Sequence, residues 1–292
     1  MKRTVILFIL SLMMGTGAWS QEDGARNQIY TVALSNVQYT KKETKPTAGS
    51  VIGEVLTAVI AGETTKQMDG YEGAVGAAIL KGLSQARRIK AIDGTLTPEE
   101  AAQPGTWYAD AVIANIATTT KIETHEDAKK KKYTTTYYKG VIGLTLHIKN
   151  ATDDQVLASP TFNVSASDLS WVDTAEGALN NALVRLSSNI TSYLNKWLPL
   201  KANIVEGARE KKDKQKEVYI DLGAAEGGVV GLHFDVFTVR TIAGREARKK
   251  IGRLKVTDVE GDDISLCKVQ SGGRDIKTAI DAGEQLLIIT TD

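Results

Sequence analysis

Leu144-Thr145-Leu146-His147-Ile148-Lys149 decides the fold of the larger part of this chain. Apolar side chains at every second position put Leu144, Leu146 and Ile148 on one face of a strand and Thr145, His147 and Lys149 on the other. The same period of two runs across residues 108–168, so residues 111–124, 133–149 and 155–167 read as three antiparallel strands. The last two are joined by the polar turn Asn150-Ala151-Thr152-Asp153-Asp154. Upstream, residues 28–39 read as a further strand carrying Val32 and Leu34 on one face. Helices flank this sheet. Val75, Ile79, Leu83 and Ala86 share one helical face and predict a helix over 73–92. A longer stripe over 173–197 includes Leu179, Ala182, Leu186, Ile190 and Leu194, opened by a capping box of Asp173 and Glu176 and closed by Pro199. Between them Thr97-Pro98-Glu99-Glu100 marks a short capped turn. The expected class is α+β: a βαβββα domain with an antiparallel sheet packed by helices.

Working outward, residues 202–217 include Arg209-Glu210-Lys211-Lys212-Asp213-Lys214-Gln215-Lys216, too polar to bury, and read as a charged linker. Beyond it lie five short strand-like runs, 218–222, 232–241, 251–259, 264–270 and 285–290, separated by glycines. That spacing predicts a small all-β barrel, SH3-like or OB-like. At the other end Lys2-Arg3, an apolar run over 5–14 and the small residues Ala18 and Ser20 read as a cleavable secretory signal. The expected organisation is a signal peptide over 1–20, an α+β domain over 21–201, a linker over 202–217 and a barrel over 218–292. Residues 47–70, apolar but punctuated by glycines, stay open between a loop, a short helix over the core and a contact surface.

Composition narrows the function classes. The 292 residues carry 36 Lys and Arg against 35 Asp and Glu, and loss of Lys2 and Arg3 with the signal reverses that small excess, which gives no general pull toward nucleic acid. The single Cys267 cannot form an internal disulfide and sits in the alternating stretch Ile264-Ser265-Leu266-Cys267-Lys268-Val269, a strand position. His125, His147 and His233 are far apart, and none has a metal-ligand spacing. Gly223-Ala224-Ala225-Glu226-Gly227-Gly228-Val229-Val230-Gly231 runs into a strand rather than a helix, so tight turns explain it better than a phosphate cradle. No catalytic residue, metal or cofactor is expected. The leading candidate contact element is the hairpin of residues 111–149. Its tip holds Lys129, Lys130, Lys131 and Lys132, flanked by Tyr133, Tyr137 and Tyr138, and its threonine-rich strands run past the core.

These residues also carry a resemblance. Thr31-Val32-Ala33-Leu34, Gln85-Ala86-Arg87-Arg88-Ile89-Lys90-Ala91-Ile92-Asp93, Ala109-Asp110-Ala111-Val112-Ile113-Ala114-Asn115-Ile116 and the hairpin after them resemble the periplasmic domain of curli-assembly secretion proteins (CsgG-like) and of the related activators of penicillin-binding proteins. Val218-Tyr219-Ile220-Asp221-Leu222-Gly223, Phe234-Asp235-Val236-Phe237 and Ile251-Gly252-Arg253-Leu254-Lys255-Val256 resemble the C-terminal barrel of flagellar assembly protein T. The resemblance implies a module that works by binding, with no catalytic residue to carry over. It departs from the curli pore at two points: Gln21, not a cysteine, follows the cleavage point, and Lys121, Glu123, His125, Glu126 and Asp127 occupy the hairpin where a membrane strand needs an alternating apolar face.

The resulting expectation is a non-enzymatic envelope protein, exported to the periplasm and at most peripherally membrane-associated, that binds envelope proteins during assembly of a surface structure or cell-wall machinery. An exported enzyme or small-ligand protein with an interdomain cleft, and an oligomeric secretion-channel component, are the alternatives. Homo-oligomerisation stays open, and no nucleic-acid partner is expected.

Overall fold

The computed structural model describes residues 26–40, 63–67 and 70–291, with 63–67 as backbone only; the expected signal peptide over 1–20 and most of the undecided stretch 47–70 lie outside the described residues. The chain is α+β, as its periodicities predict, with a closed antiparallel barrel at the C-terminal end. The first sheet is mixed rather than antiparallel. β1 (Tyr30–Tyr39) runs parallel to both β3 (Ile89–Asp93) and β4 (Thr106–Glu126). The helix expected over 73–92 stops as α1 (Glu72–Ser84), and the chain after it turns into β3. Parallel pairing needs such a crossover, and α1 supplies it. Val75, Ile79 and Leu83 are fully buried as the stripe requires, while Ala86 packs in the turn that follows.

The antiparallel part is as expected: β4 pairs with β5 (Lys132–Asn150), which pairs with β6 (Val156–Ala158) and β7 (Thr161–Val164). The third strand is split because Ser159-Pro160 interrupts it, proline having no N–H for a ladder. β2 (Glu63–Gln67), within the stretch left open, lies antiparallel to β4. The capped turn is α2 (Pro98–Ala101), where the Glu100 N–H donates to Thr97 Oγ1 (3.2 Å) and the Thr97 N–H donates to Glu100 Oε2 (2.9 Å). α3 (Ala175–Trp197) is capped by Thr174, whose Oγ1 accepts from the Gly177 N–H (3.1 Å), and not by the expected Asp173. Its Leu179, Ala182, Leu186, Ile190 and Leu194 meet the α1 stripe over Ile113, Leu144, Leu146 and Ile148, and all are buried. Truncating one such leucine or isoleucine to alanine costs about 2–5 kcal/mol.

The linker expected over 202–217 does not exist as a linker. β8 (Lys201–Glu210) and β9 (Gln215–Ile220) form a hairpin, and the charged run is its tip. The sequence hides this because the outer face of a small barrel tolerates charge, so the usual alternation is diluted. With β10 (His233–Ile242), β11 (Arg245–Val259), β12 (Ser265–Ser271) and β13 (Leu286–Thr290), the barrel closes in the order β10-β11-β12-β9-β8-β13. Phe234, Val236, Leu254, Val256, Val218, Ile220 and Ile288 fill it. A helix that the strand-like spacing conceals, α4 (Gly273–Asp281), adds the buried Ile276 and Ala279 to the same core. Cys267 is fully buried, and burial pushes its thiol up to about 12. Gly223 opens a 3-10 turn that ends at Gly227 in the left-handed region (φ +86°), and β10 follows.

The two domains meet at the start of β1. Arg26 Nη1 donates to Asp221 Oδ2 (2.8 Å), Asn27 Nδ2 donates to Glu226 Oε2 (2.6 Å), and the Lys201 N–H donates to Asn27 Oδ1 (2.9 Å). The buried Arg88 donates from Nε to the Gln28 carbonyl (3.0 Å) and from Nη1 to the Pro199 carbonyl (3.2 Å), with its guanidinium over the Tyr30 ring.

Candidate functional site

The β4–β5 ladder runs from Trp107 and Asn150 to Glu126 and Lys132, with one bulge between Ile113 and Asn115. The helical layer covers only part of it. Opposite Gly140, a Cβ would stand 2.5 Å from the Ala178 carbonyl, so α3 crosses the strand there at backbone distance. From Gly140 to Lys132 the hairpin continues for eight residues, roughly 25 Å at strand rise. Its end is exposed. Ile122, on the face that continues the core, is 62 % exposed, and Tyr133, on the other face, is 53 % exposed.

Asp127 builds the tip. Its Oδ1 accepts from the backbone N–H groups of Lys129 and Lys131 (2.8 Å each), and Lys130 stands in the left-handed region. Lys129, Lys130, Lys131 and Lys132 thus radiate from a side-chain-braced turn, all exposed. Beside them the Tyr133 ring stacks on His125 with centroids 5.3 Å apart. His125 faces Glu123 (3.7 Å), and Lys121 also hydrogen-bonds to Glu123, holding that carboxyl below its usual range. The structure therefore brings the four lysines and Tyr133 together and separates the other two tyrosines. Tyr137 lies opposite Lys121 lower on the ladder, and Tyr138 sits on the opposite face, its backbone paired with Val172. Both are half-buried.

Three contributors were not singled out from sequence. Ile122 had no simple alternation to announce it: the apolar face of β4 is odd-numbered at Trp107, Ala109, Ala111 and Ile113, and the bulge between Ile113 and Asn115 moves it to the even positions Ile116 and Ile122. His125 was legible only as a spacing that fits no metal, and its stacking needs the register. Trp171 had no signal: it reaches the hairpin base from the connector before α3, where Lys139 Nζ lies 4.7 Å and Lys121 Nζ 6.0 Å from its ring centroid.

One concavity lies elsewhere. A cleft of about 430 Å³ runs between β1 and α1, lined by Ser35, Asn36, Val37, Glu72, Gly76 and Asp93. It sits where β1 leaves the domain junction behind. Among the described residues no group of three or more His, Cys, Asp or Glu side chains could hold a metal ion, and no described helix is long and apolar enough to cross a membrane.

Fold and site together define a two-domain α+β protein with a closed barrel and a projecting β-hairpin. No family model matches the chain, and no curated protein sequence matches it. Among solved structures it is similar to a neuraminyllactose-binding hemagglutinin homolog from Helicobacter pylori, at 10% identity and a TM-score of 0.34 over 59% of this chain and 83% of that one. It is also similar to a DUF330 protein from Xanthomonas campestris, at 12% identity and a TM-score of 0.29 over 59% of this chain and 84% of that one. These are distant structural similarities to bacterial proteins and carry no specific family assignment.

Proposed function

We propose that the chain is a non-enzymatic, exported envelope protein that binds another envelope protein through the β4–β5 hairpin during assembly of a surface structure or cell-wall machinery. The observation that carries this reading is the hairpin's length beyond α3, with Ile122 exposed on one face and the Tyr133–His125 stack on the other. An exposed aromatic beside a cationic tip is contact chemistry: the ring supplies area at low entropic cost and the lysines steer an acidic partner. The resemblance to curli-assembly proteins and penicillin-binding-protein activators supports a binding role. Photo-crosslinking from position 133 in intact cells tests it. The expected result is one reproducible protein adduct that disappears when Lys129 to Lys132 are changed to serine. A smear of unrelated adducts, unchanged by those substitutions, would overturn it.

The ligand-binding alternative has one observation of its own, the cleft between β1 and α1. That cleft is not between the domains, whose junction is occupied by Arg26, Asn27 and Arg88.

A further inference from the structure

The barrel is electrically polarised along its axis. β8 and β10 are both antiparallel to β13, so they run in the same direction, and their turns at 211–214 and 243–244 emerge at the same end. α4 plugs that end: Lys277 Nζ donates to Glu210 Oε1 (2.8 Å), and Arg240 pairs with Glu284 beside the start of β13 (3.4 Å). Residues 209–217, 240–250 and 273–284, which make this end, carry twelve Lys or Arg against seven Asp or Glu. Residues 221–231 and 257–264, at the opposite end, carry six Asp or Glu and no Lys or Arg. The acidic end is the one that meets the first domain through Arg26 and Asn27, so the basic end points away from it.

The two turns are tight. Lys212 and Asp213 both have positive φ, as do Ala243 and Gly244, the signature of two-residue hairpin turns that match strand twist. At the second turn Ile242 is 63 % exposed, and the register places Arg245 opposite it on the same face. Lys249 shares that face one pair further down, past Arg240 and Ala247. Several cations at this end are already paired, Arg248 with Glu246 and Lys250 with Asp235 among them. Arg245, Lys249, Lys211, Lys212 and Lys214 make no ion pair with another described residue, and all five are exposed.

We infer that this end of the barrel is a docking surface for an anionic phospholipid bilayer. The charge complementarity is direct: free cations at two tight turns and on the adjoining stretch of β11 face the phosphates, and the acidic end is held away from them. The apolar component decides between a bilayer and a soluble polyanion. A polyanion offers Ile242 nothing, whereas an interface takes up an apolar tip flanked by cations. This surface shares no residue with the β4–β5 hairpin, so the two readings fail separately.

Flotation of the full chain with vesicles tests the inference. The chain should float with phosphatidylglycerol–phosphatidylcholine vesicles and not with phosphatidylcholine alone, and salt should weaken the binding. Changing Arg245 and Lys249 to serine should lower the partition coefficient about fivefold per cation, the equivalent of about 1 kcal/mol each. Ile242→Ser should lower it about tenfold at unchanged charge. The variant with Lys129 to Lys132 changed to serine should float like the parent. The inference is overturned if the chain ignores anionic vesicles or if the barrel variants float like the parent while the lysine-tip variant does not. Double-stranded DNA or heparin binding that exceeds vesicle binding and is indifferent to Ile242→Ser would overturn it in favour of a polymer.

Discussion

Three single residues show how local chemistry fixes larger features. Asp235 on β10 is 13 % exposed and accepts from Lys250 and from Arg253 Nε (3.1 Å). Burial pushes its carboxyl up, but those two hydrogen bonds and the charges behind them outweigh burial and hold it below the usual range. A depressed carboxylate stabilises the fold above its unfolded value, about pH 3.9, and that stability is lost as pH falls through the lower folded value. Asp235→Asn should therefore cost about 1–3 kcal/mol near neutrality, and the difference from the parent should close in acid; denaturant melts at pH 7 and pH 3 check it. Gly140 fails differently. Any side chain there strikes the Ala178 carbonyl and the Ala182 methyl, so Gly140→Val should lower stability by about 2 kcal/mol or more, visible as a lower urea midpoint. Ala243 sits at φ 51° before Gly244 in a turn that favours Asn-Gly. Ala243→Asn should raise the midpoint by about 0.5–1 kcal/mol, because it removes left-handed strain without touching a contact. An unchanged or lower midpoint would mean that the turn relaxes around alanine.

At the scale of elements, the β4–β5 hairpin carries the sharpest expectation. Changing Lys129 to Lys132 to serine should leave the thermal midpoint within the small range of exposed substitutions, about 0.5 kcal/mol, since none of the four packs on the core. Tyr133→Ala should also be nearly silent for folding yet weaken partner binding by about 1–2 kcal/mol. Tyr138→Ala should do the reverse, because the Tyr138 side chain is half-buried at the base of the hairpin, on the face that continues the core. Binding titrations beside melts separate the two, and equal behaviour of both tyrosines would contradict the split the register makes between them. What the sequence let one read followed periodicity. Leu144, Leu146 and Ile148 announced their face, and the α3 stripe its helix, because one wrong residue in such a pattern would be buried or exposed at a cost. β3 was illegible: Ile89–Asp93 is five residues, continues the apolar stripe of α1, and becomes a strand only because the free edge of β1 is there to pair with it. β8 was illegible because its distal half is solvated and carries Glu206, Arg209 and Glu210. α4 was hidden by its length, with Ile276 and Ala279 buried in the barrel and Ile280 packed at its edge. The lysine tip was legible as a run, but its bracing by Asp127 and the His125–Tyr133 stack depend on register, which no local pattern fixes.

At the scale of the whole molecule, the junction decides whether the two cores unfold as one unit. The domains have separate apolar clusters, and what joins them is polar: Arg26 on Asp221 and Asn27 on Lys201 and Glu226, with Arg88 bracing the first-domain side through the carbonyls of Gln28 and Pro199. Asp221 is also tied within its own domain, accepting from the Asn203 N–H (2.5 Å) and from Asn203 Nδ2 (2.9 Å), so the acceptor that Arg26 reaches is already fixed in place. A contact of this kind couples domains through a few charge-assisted bonds, each contributing about 1–3 kcal/mol, rather than through buried area. The parent should therefore melt in a single calorimetric transition, with the helical signal of α1 and α3 and the barrel signal lost together. Changing Arg26 and Asn27 to alanine removes most of that coupling while leaving both cores untouched, so the transition should separate into two, and proteases should cut more readily near Pro199, the point where α3 hands over to β8. Arg88→Met should loosen the same junction but also leave the Gln28 and Pro199 carbonyls without their donor, so it should lower both midpoints. A single coincident transition in the Arg26 and Asn27 variant would mean that the covalent step from Trp197 to Lys201 is stiff enough to hold the domains as one body, and the polar clamp would then be an ornament of the junction rather than its cause.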